Sequence, residues 1–159
     1  MAIDEEKYQQ VVKELTATNT TLVAVSKTKP IEDIQDLYDL GQRDFGENYV
    51  QELVEKAEQL PKDIRWHFIG HLQSNKVKYI APFIHLIQVV DSLKLLQEIN
   101  KQALKNNRTI DCLLQVYIAR EETKFGLDEK ELNEVMTKFL SAELQNVRIT
   151  GLMGMASFT

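Results

Sequence analysis

Apolar residues along this chain change their period repeatedly, and each change marks a new element. Tyr8, Val11, Val12 and Leu15 recur at the spacing of one helical face. The unbroken run Leu22 to Val25 follows, which fits a strand covered on both faces. Ile31, Ile34, Leu37 and Tyr38 return to helical spacing up to about Leu40, and Gly41 stands where a helix would stop. After a brief apolar stretch around Phe45 and Gly46, Val50, Leu53, Val54 and Ala57 predict a helix ended near Pro61. Ile64 to Ile69 reads as a strand, and Val77 to Ile80 as a short helix cut off by Pro82. Ile84 to Val90 is a strand, and Leu93, Leu96, Ile99 and Leu104 belong to a longer helix. Ile110 to Ala119 predicts another strand, and Leu132, Val135, Met136, Phe139 and Leu140 another helical stripe. Val147 to Ala156 reads as a final strand.

This alternation is the signature of βαβ units and a parallel sheet, and it spans the chain as one domain. Right-handed crossovers leave two solutions, an open doubly wound sheet or a closed barrel. Strands are expected near Val23, Phe45, Trp66, Ile87, Leu114 and Leu152. A closed barrel of this kind takes eight strands and typically about 250 residues. The pattern therefore predicts either an open sheet or part of a larger barrel.

Composition narrows the function classes. The chain has 159 residues, 43% hydrophobic and 27% charged, which is ordinary for a globular protein. A net charge of −5 gives no general basic footprint for nucleic acid. No apolar run approaches the roughly 18 residues of a membrane span. The start, MAIDEEKYQQ, is polar and acidic, unlike a targeting peptide. The single cysteine, Cys112, sits in an apolar run and reads as a buried core thiol, which fits a reducing cytoplasm.

Candidate chemistry begins at Ser26-Lys27-Thr28-Lys29-Pro30, directly after a strand. Lys27 is thereby placed at the carboxyl end of a parallel strand, where α/β folds bind ligands. A lysine sheltered there can attack a carbonyl as a free amine; one merely solvated at a strand end does nothing. In an extended chain Lys29 would project to the same side. In Asp44 to Glu52, Gly46 permits an unusual backbone angle or a close approach to a ligand. Asn48 either caps a helix beginning at Tyr49 or offers its amide to a cofactor at the top of the sheet. His67 and His71 are four residues apart, but Phe68-Ile69-Gly70 between them reads as a strand end and turn. No nearby third ligand completes a zinc pattern. Ser74-Asn75-Lys76 could hold an anion through backbone amides or serve as an ordinary cap. Lys124, in a polar loop, reads as solvated. The glycines of Gly151 to Ser157 hint at a close backbone or ligand approach. Met153 and Met155 are either core or a soft apolar surface for a flat ring. The glycine-rich dinucleotide and phosphate loops and the esterase elbow are absent from the sequence.

Taken together, AVSKTKP, FGENYVQE, WHFIGHLQSNK and GLMGMA, in this order and spacing, resemble the pyridoxal phosphate homeostasis proteins. The resemblance runs from about Leu22 to the end of the chain. Those proteins are small barrels similar to the N-terminal domain of alanine racemase. The resemblance implies an α/β fold, a (β/α)8 TIM-type barrel of that kind, over residues 1–159 and lacking its last strands here. It also implies that Lys27 holds pyridoxal 5′-phosphate as a Schiff base and that Asn48 lies near the cofactor at the top of the barrel. Met153 would sit on a strand approaching the same cavity. No catalytic residue and no metal ligand is assigned. The family's phosphate and pyridine-nitrogen motifs, Ser-Met-Gly-Met-Ser-like and Val-Arg-Ile-Gly-like, do not occur in this chain.

The implied function is intracellular homeostasis of the cofactor by a cytoplasmic monomer without established turnover. Such a protein stores the cofactor or passes it to apo-enzymes that require it. An amino-acid racemase of the alanine racemase type is the alternative, since barrel and lysine are shared, although fold alone does not imply it. In a third reading the chain is an interaction module and the lysine is incidental.

Overall fold

The computed structural model describes residues 3–118 and 126–155. In chain order the elements are α1 (Glu5–Ala17), β1 (Ala24–Val25), α2 (Ile31–Asp39), β2 (Asp44–Glu47), α3 (Val50–Gln59) and β3 (Arg65–Phe68). A single 3-10 turn (Ser74–Lys76) leads into α4 (Val77–Ile80). Then come β4 (Leu86–Val90), α5 (Leu93–Lys105), β5 (Ile110–Gln115), α6 (Glu129–Leu140) and β6 (Val147–Met153).

Local chemistry sets several helix ends. The Asp4 carboxylate accepts from the Lys7 amide before α1, and the Ser92 hydroxyl accepts from the Leu95 amide before α5. Asp128 and Glu131 form a reciprocal capping box at the start of α6. Gly41, with φ +111°, follows α2 in a conformation that disfavours any side chain, as the sequence predicts.

The six strands form one sheet in the order β1-β2-β3-β4-β5-β6, and every neighbouring pair is parallel. Strand order never reverses. A doubly wound sheet needs a reversal, because that is how its helices reach both faces. With right-handed crossovers and sequential order, all helices lie on one side. Contacts of α3 with α4, α4 with α5, and α5 with α6 agree with this. The fold is therefore a TIM-type barrel arrangement seen as an open sheet, with β1 and β6 at its two edges.

The core fills the space between sheet and helices. Ile87 and Val89 of β4 and Ile110, Cys112 and Leu114 of β5 are buried there against Leu96 and Ile99 of α5 and Val135 of α6. Phe45 and Trp66 pack with ring centroids 6.0 Å apart. Burial pushes the Cys112 thiol up to about 12, so it is an inert core group. No described residue of α1 is buried; the helix is tied to the body where the Tyr8 hydroxyl donates to Gln42 Oε1.

The boundaries differ from the sequence reading in instructive ways. β1 begins only at Ala24, because the Leu22 carbonyl accepts from the Gln42 side chain instead of pairing with a strand. The short stretch around Phe45 is a full strand whose ends, Asp44 and Glu47, are buried charged residues with partners. β5 ends at Gln115, after which Val116 makes a single bridge to Leu127. Ala119, Lys124, Ala156 and Ser157 lie outside the described residues. Among the described residues no helix is long and apolar enough to cross a membrane.

Candidate functional site

The ends of β1 and β2 stay paired for one residue beyond β1, because the Ser26 amide donates to the Gly46 carbonyl at 2.9 Å. Strand alternation then sorts the side chains. Ser26 is buried on the α3 side, while Val25 and Lys27 are exposed on the other face. Immediately afterwards the chain turns. The Lys29 amide donates to the Ser26 carbonyl at 3.1 Å, and Thr28 takes φ +61°. Its hydroxyl donates to the Lys27 carbonyl at 2.6 Å.

Two expectations change here. Lys29 does not continue an extended chain beside Lys27; it lines a hollow of about 160 Å³ with Val25, Ser26 and Asp33. Lys27 is exposed rather than sheltered, because the sheet face away from the helices is uncovered at this edge.

Beneath the turn lies a buried charge network that the sequence reading missed. Lys56, on α3 and only 5% exposed, donates to the Ser26 carbonyl at 2.7 Å, to Glu47 at 2.8 Å and to Glu52 at 2.7 Å. The Ser26 hydroxyl also donates to Glu47, and the Thr28 amide donates to Glu52. Burial pushes the Glu47 carboxyl above its ordinary range, and the bonds from Lys56 and Ser26 offset this only in part. Burial acts the same way on Glu52, but there the bonds from Lys56 and the Thr28 amide prevail and hold the carboxyl low. The spacing of Glu52 and Lys56 suits a pair on one helix face, which was the only signal available in sequence. That Glu47 and Ser26 join them depends on the β1–β2 register.

Lys27 follows the end of β1 by two residues and Asn48 follows the end of the neighbouring β2 by one. Asn48 does not cap α3: Tyr49 occupies the cap position, and no side chain bonds there. Instead the Asn48 Oδ1 is buried and has no hydrogen-bond partner among the described residues. A buried acceptor left open costs about 1–3 kcal/mol, so it invites a donor from a ligand. The loop holding Asn48 lies tight against Gly70, where a Cβ would come within 2.6 Å of the Asn48 carbonyl oxygen. Gly46 acts by packing rather than by an unusual angle. Its missing Cβ makes room for Ile69 and Val23, whose carbons would lie at 2.8 and 3.2 Å.

Met153 pairs with Gln115 and packs partly buried against the core at the far edge of the sheet. Lys27 and Asn48 thus follow the ends of the neighbouring strands β1 and β2, and Met153 lies on β6 at the opposite edge of the sheet. The glycines near Met153 are explained by packing, Gly151 under Leu113 and Gly154 under Ile118.

The two histidines part company, as the turn between them suggested. His71 Nδ1 lies 3.5 Å from Asp91. His67 is buried, with Nε2 2.9 Å from Asp44 Oδ1 and Nδ1 3.0 Å from Gln88 Nε2. Asp44 also takes two bonds from Arg65, at 3.0 and 2.8 Å. Asp44, His67 and His85 place ligand-type atoms within 4.8 Å of one another. Both His67 ring nitrogens already have partners, however, so the cluster is satisfied as a hydrogen-bond network. The Ser74–Lys76 turn carries no side-chain cap bond, and its one 3-10 turn is too short to focus an anion site.

A family model described as "Alanine racemase, N-terminal domain" matches residues 5–159. The pyridoxal phosphate homeostasis protein of Aquifex aeolicus is 45% identical over 133 residues, covering 83% of this chain and 58% of that protein. The chain thus spans less than two thirds of that relative's length. PipY of Synechococcus elongatus has been solved without PLP, with TM-score 0.85 and 34% identity, over 94% of this chain and 71% of that one. Its structure with PLP bound gives TM-score 0.78 and 33% identity, over 94% and 72% of the two chains. Alanine racemase from Bartonella henselae, with covalently bound pyridoxal phosphate, gives TM-score 0.72 over 92% of this chain and 40% of that one. At 17% identity that likeness shows the fold alone.

Proposed function

Because the chain belongs to the pyridoxal phosphate homeostasis proteins of the alanine racemase N-terminal domain family, we propose that it binds pyridoxal 5′-phosphate through Lys27 and serves intracellular homeostasis of that cofactor. The observation that carries the reading is local. An exposed lysine is held in an anchored turn after β1, and the neighbouring strand β2 leads to Asn48, whose buried side-chain oxygen Oδ1 has no partner among the described residues. Lys27 would hold the cofactor through its Nζ amine, and the cofactor, when bound, would supply an electrophilic aldehyde able to condense with that amine with loss of water. Asn48 would accept a hydrogen bond from the bound molecule, and Met153, on β6 at the opposite edge of the described sheet, would meet it only from across the strand-end rim. The link is reversible by water, which suits a protein that stores the cofactor and releases it to apo-enzymes.

The reading places the protein in the cytoplasm as a monomer. One buried thiol fits a reducing compartment. The likeness to alanine racemases rests on fold, and no observation on this chain favours amino-acid racemisation.

Titration of the chain with pyridoxal 5′-phosphate, followed by visible absorbance, tests the proposal. A yellow band should appear and should be lost in Lys27→Ala. A folded chain that develops no band, or a band of equal strength in Lys27→Ala, overturns it.

A further inference from the structure

The Ser26–Lys29 turn adopts a shape it would not choose alone. Thr28 is β-branched and sits at φ +61°, a region such residues rarely enter. The bonds within the turn are the Lys29 amide to the Ser26 carbonyl and the Thr28 hydroxyl to the Lys27 carbonyl. Further anchors come from β2, where the Gly46 carbonyl accepts from the Ser26 amide, and from α3. Lys56 binds the carbonyl of Ser26, the residue before Lys27, and Glu52 binds the amide of Thr28, the residue after it. Lys56 also binds Glu52 and the fully buried Glu47, which in turn bonds the Ser26 hydroxyl.

We infer that Glu52 and Lys56 are positioning residues for Lys27, clamping the turn on both sides of it so that its amine stays on the open face of the sheet. The inference rests on the reading of Lys27 as the point of attachment. Buried ion pairs are seldom the cheapest way to stabilise a fold, since apolar side chains of similar volume often do as well or better. A charged cluster that bonds backbone atoms on either side of one lysine and leaves that lysine free is explained by fixing a conformation. Glu52 matters most for the test, because its side chain is 25% exposed and its replacement leaves the core intact.

The test compares the wild-type chain, Glu52→Ala, Glu52→Gln and the double variant Glu52→Ala/Thr28→Asn. Apparent affinity for pyridoxal 5′-phosphate is read from the visible band. Amide hydrogen exchange at Thr28 is read by NMR in cofactor-free protein. Glu52→Ala should weaken binding about tenfold, the scale of releasing one strained residue, with little change in thermal midpoint. Glu52→Gln keeps an acceptor for the Thr28 amide and should lose less. Asparagine tolerates φ near +60° better than threonine, so Thr28→Asn should recover most of the loss. Exchange at Thr28 should rise about tenfold or more in Glu52→Ala, while the amides of β3 to β5 stay protected. Wild-type affinity together with unchanged Thr28 exchange in Glu52→Ala overturns the inference, and so does a binding loss that Thr28→Asn leaves untouched. If the wild-type chain itself gives no Lys27-dependent band, it is the proposed function that fails. The cofactor-free exchange then decides the clamp alone: faster exchange at Thr28 in Glu52→Ala supports it, and equal exchange overturns it.

Discussion

A methyl group at position 70 has nowhere to go. It would fall 2.6 Å from the Asn48 carbonyl oxygen and 2.7 Å from its Cα, and backbone does not yield as a flexible side chain does. Gly70→Ala should therefore displace the loop that carries Asn48. We expect a loss of about 1–3 kcal/mol in urea unfolding, the usual scale of overpacking, with weakened cofactor binding alongside. Unchanged stability and unchanged binding would contradict the packing described for Asn48. Single residues were legible to different degrees. Lys27 could be placed at a strand end because an apolar run stops at Val25, two residues before it. Asn48 was visible as a residue fit for either capping or binding, and only the backbone showed that Tyr49 takes the cap position. The exposure of Lys27 could not be read in advance, because it depends on what covers the face of the sheet.

At the scale of paired strands, β2, β3 and β4 share a polar cluster whose pH behaviour is predictable. The neutral His67 ring suits its neighbours: Nε2–H donates to Asp44, and Nδ1 accepts from the Gln88 amide. Burial depresses the affinity of His67 for a second proton below the ordinary value of 6.5, despite Asp44 beside it. The unfolded chain therefore takes up that proton first as pH falls below 6.5, and stability present above that point is lost. Glu47 and Asp91, both raised by burial, work in the opposite direction in the acid range. They do so equally in a His67→Gln variant. Denaturant unfolding measured from pH 7.5 to 5.5 should show a steeper fall for the wild type than for His67→Gln. Parallel curves would contradict the account.

Element types were legible wherever apolar periodicity was long, as in α5 and β4. β2 was hard to read because both its ends are charged residues, buried only because partners on α3 and β3 satisfy them. The start of β1 was overextended because a side chain of the loop before β2, Gln42, captures the Leu22 carbonyl.

For the whole molecule, alternation alone left an open sheet and a barrel equally allowed. Strand order decided between them, and strand order is not a property of any one segment. Sequential parallel pairing from β1 to β6 gathers the strand ends on one rim, the place where barrels carry their chemistry. Lys27 and Asn48 share that rim on neighbouring strands, while Met153 stands at its far edge. The motifs therefore fall along one rim, but their sequence spacing could not give distances across it. The most direct test of the central claim is borohydride reduction of the folded chain loaded with pyridoxal 5′-phosphate, followed by peptide mass mapping. The account predicts the reduced adduct on Lys27, and its loss from that peptide in Lys27→Ala. A reduced, folded, cofactor-soaked sample with no label on Lys27, or with label only on other lysines, would contradict it.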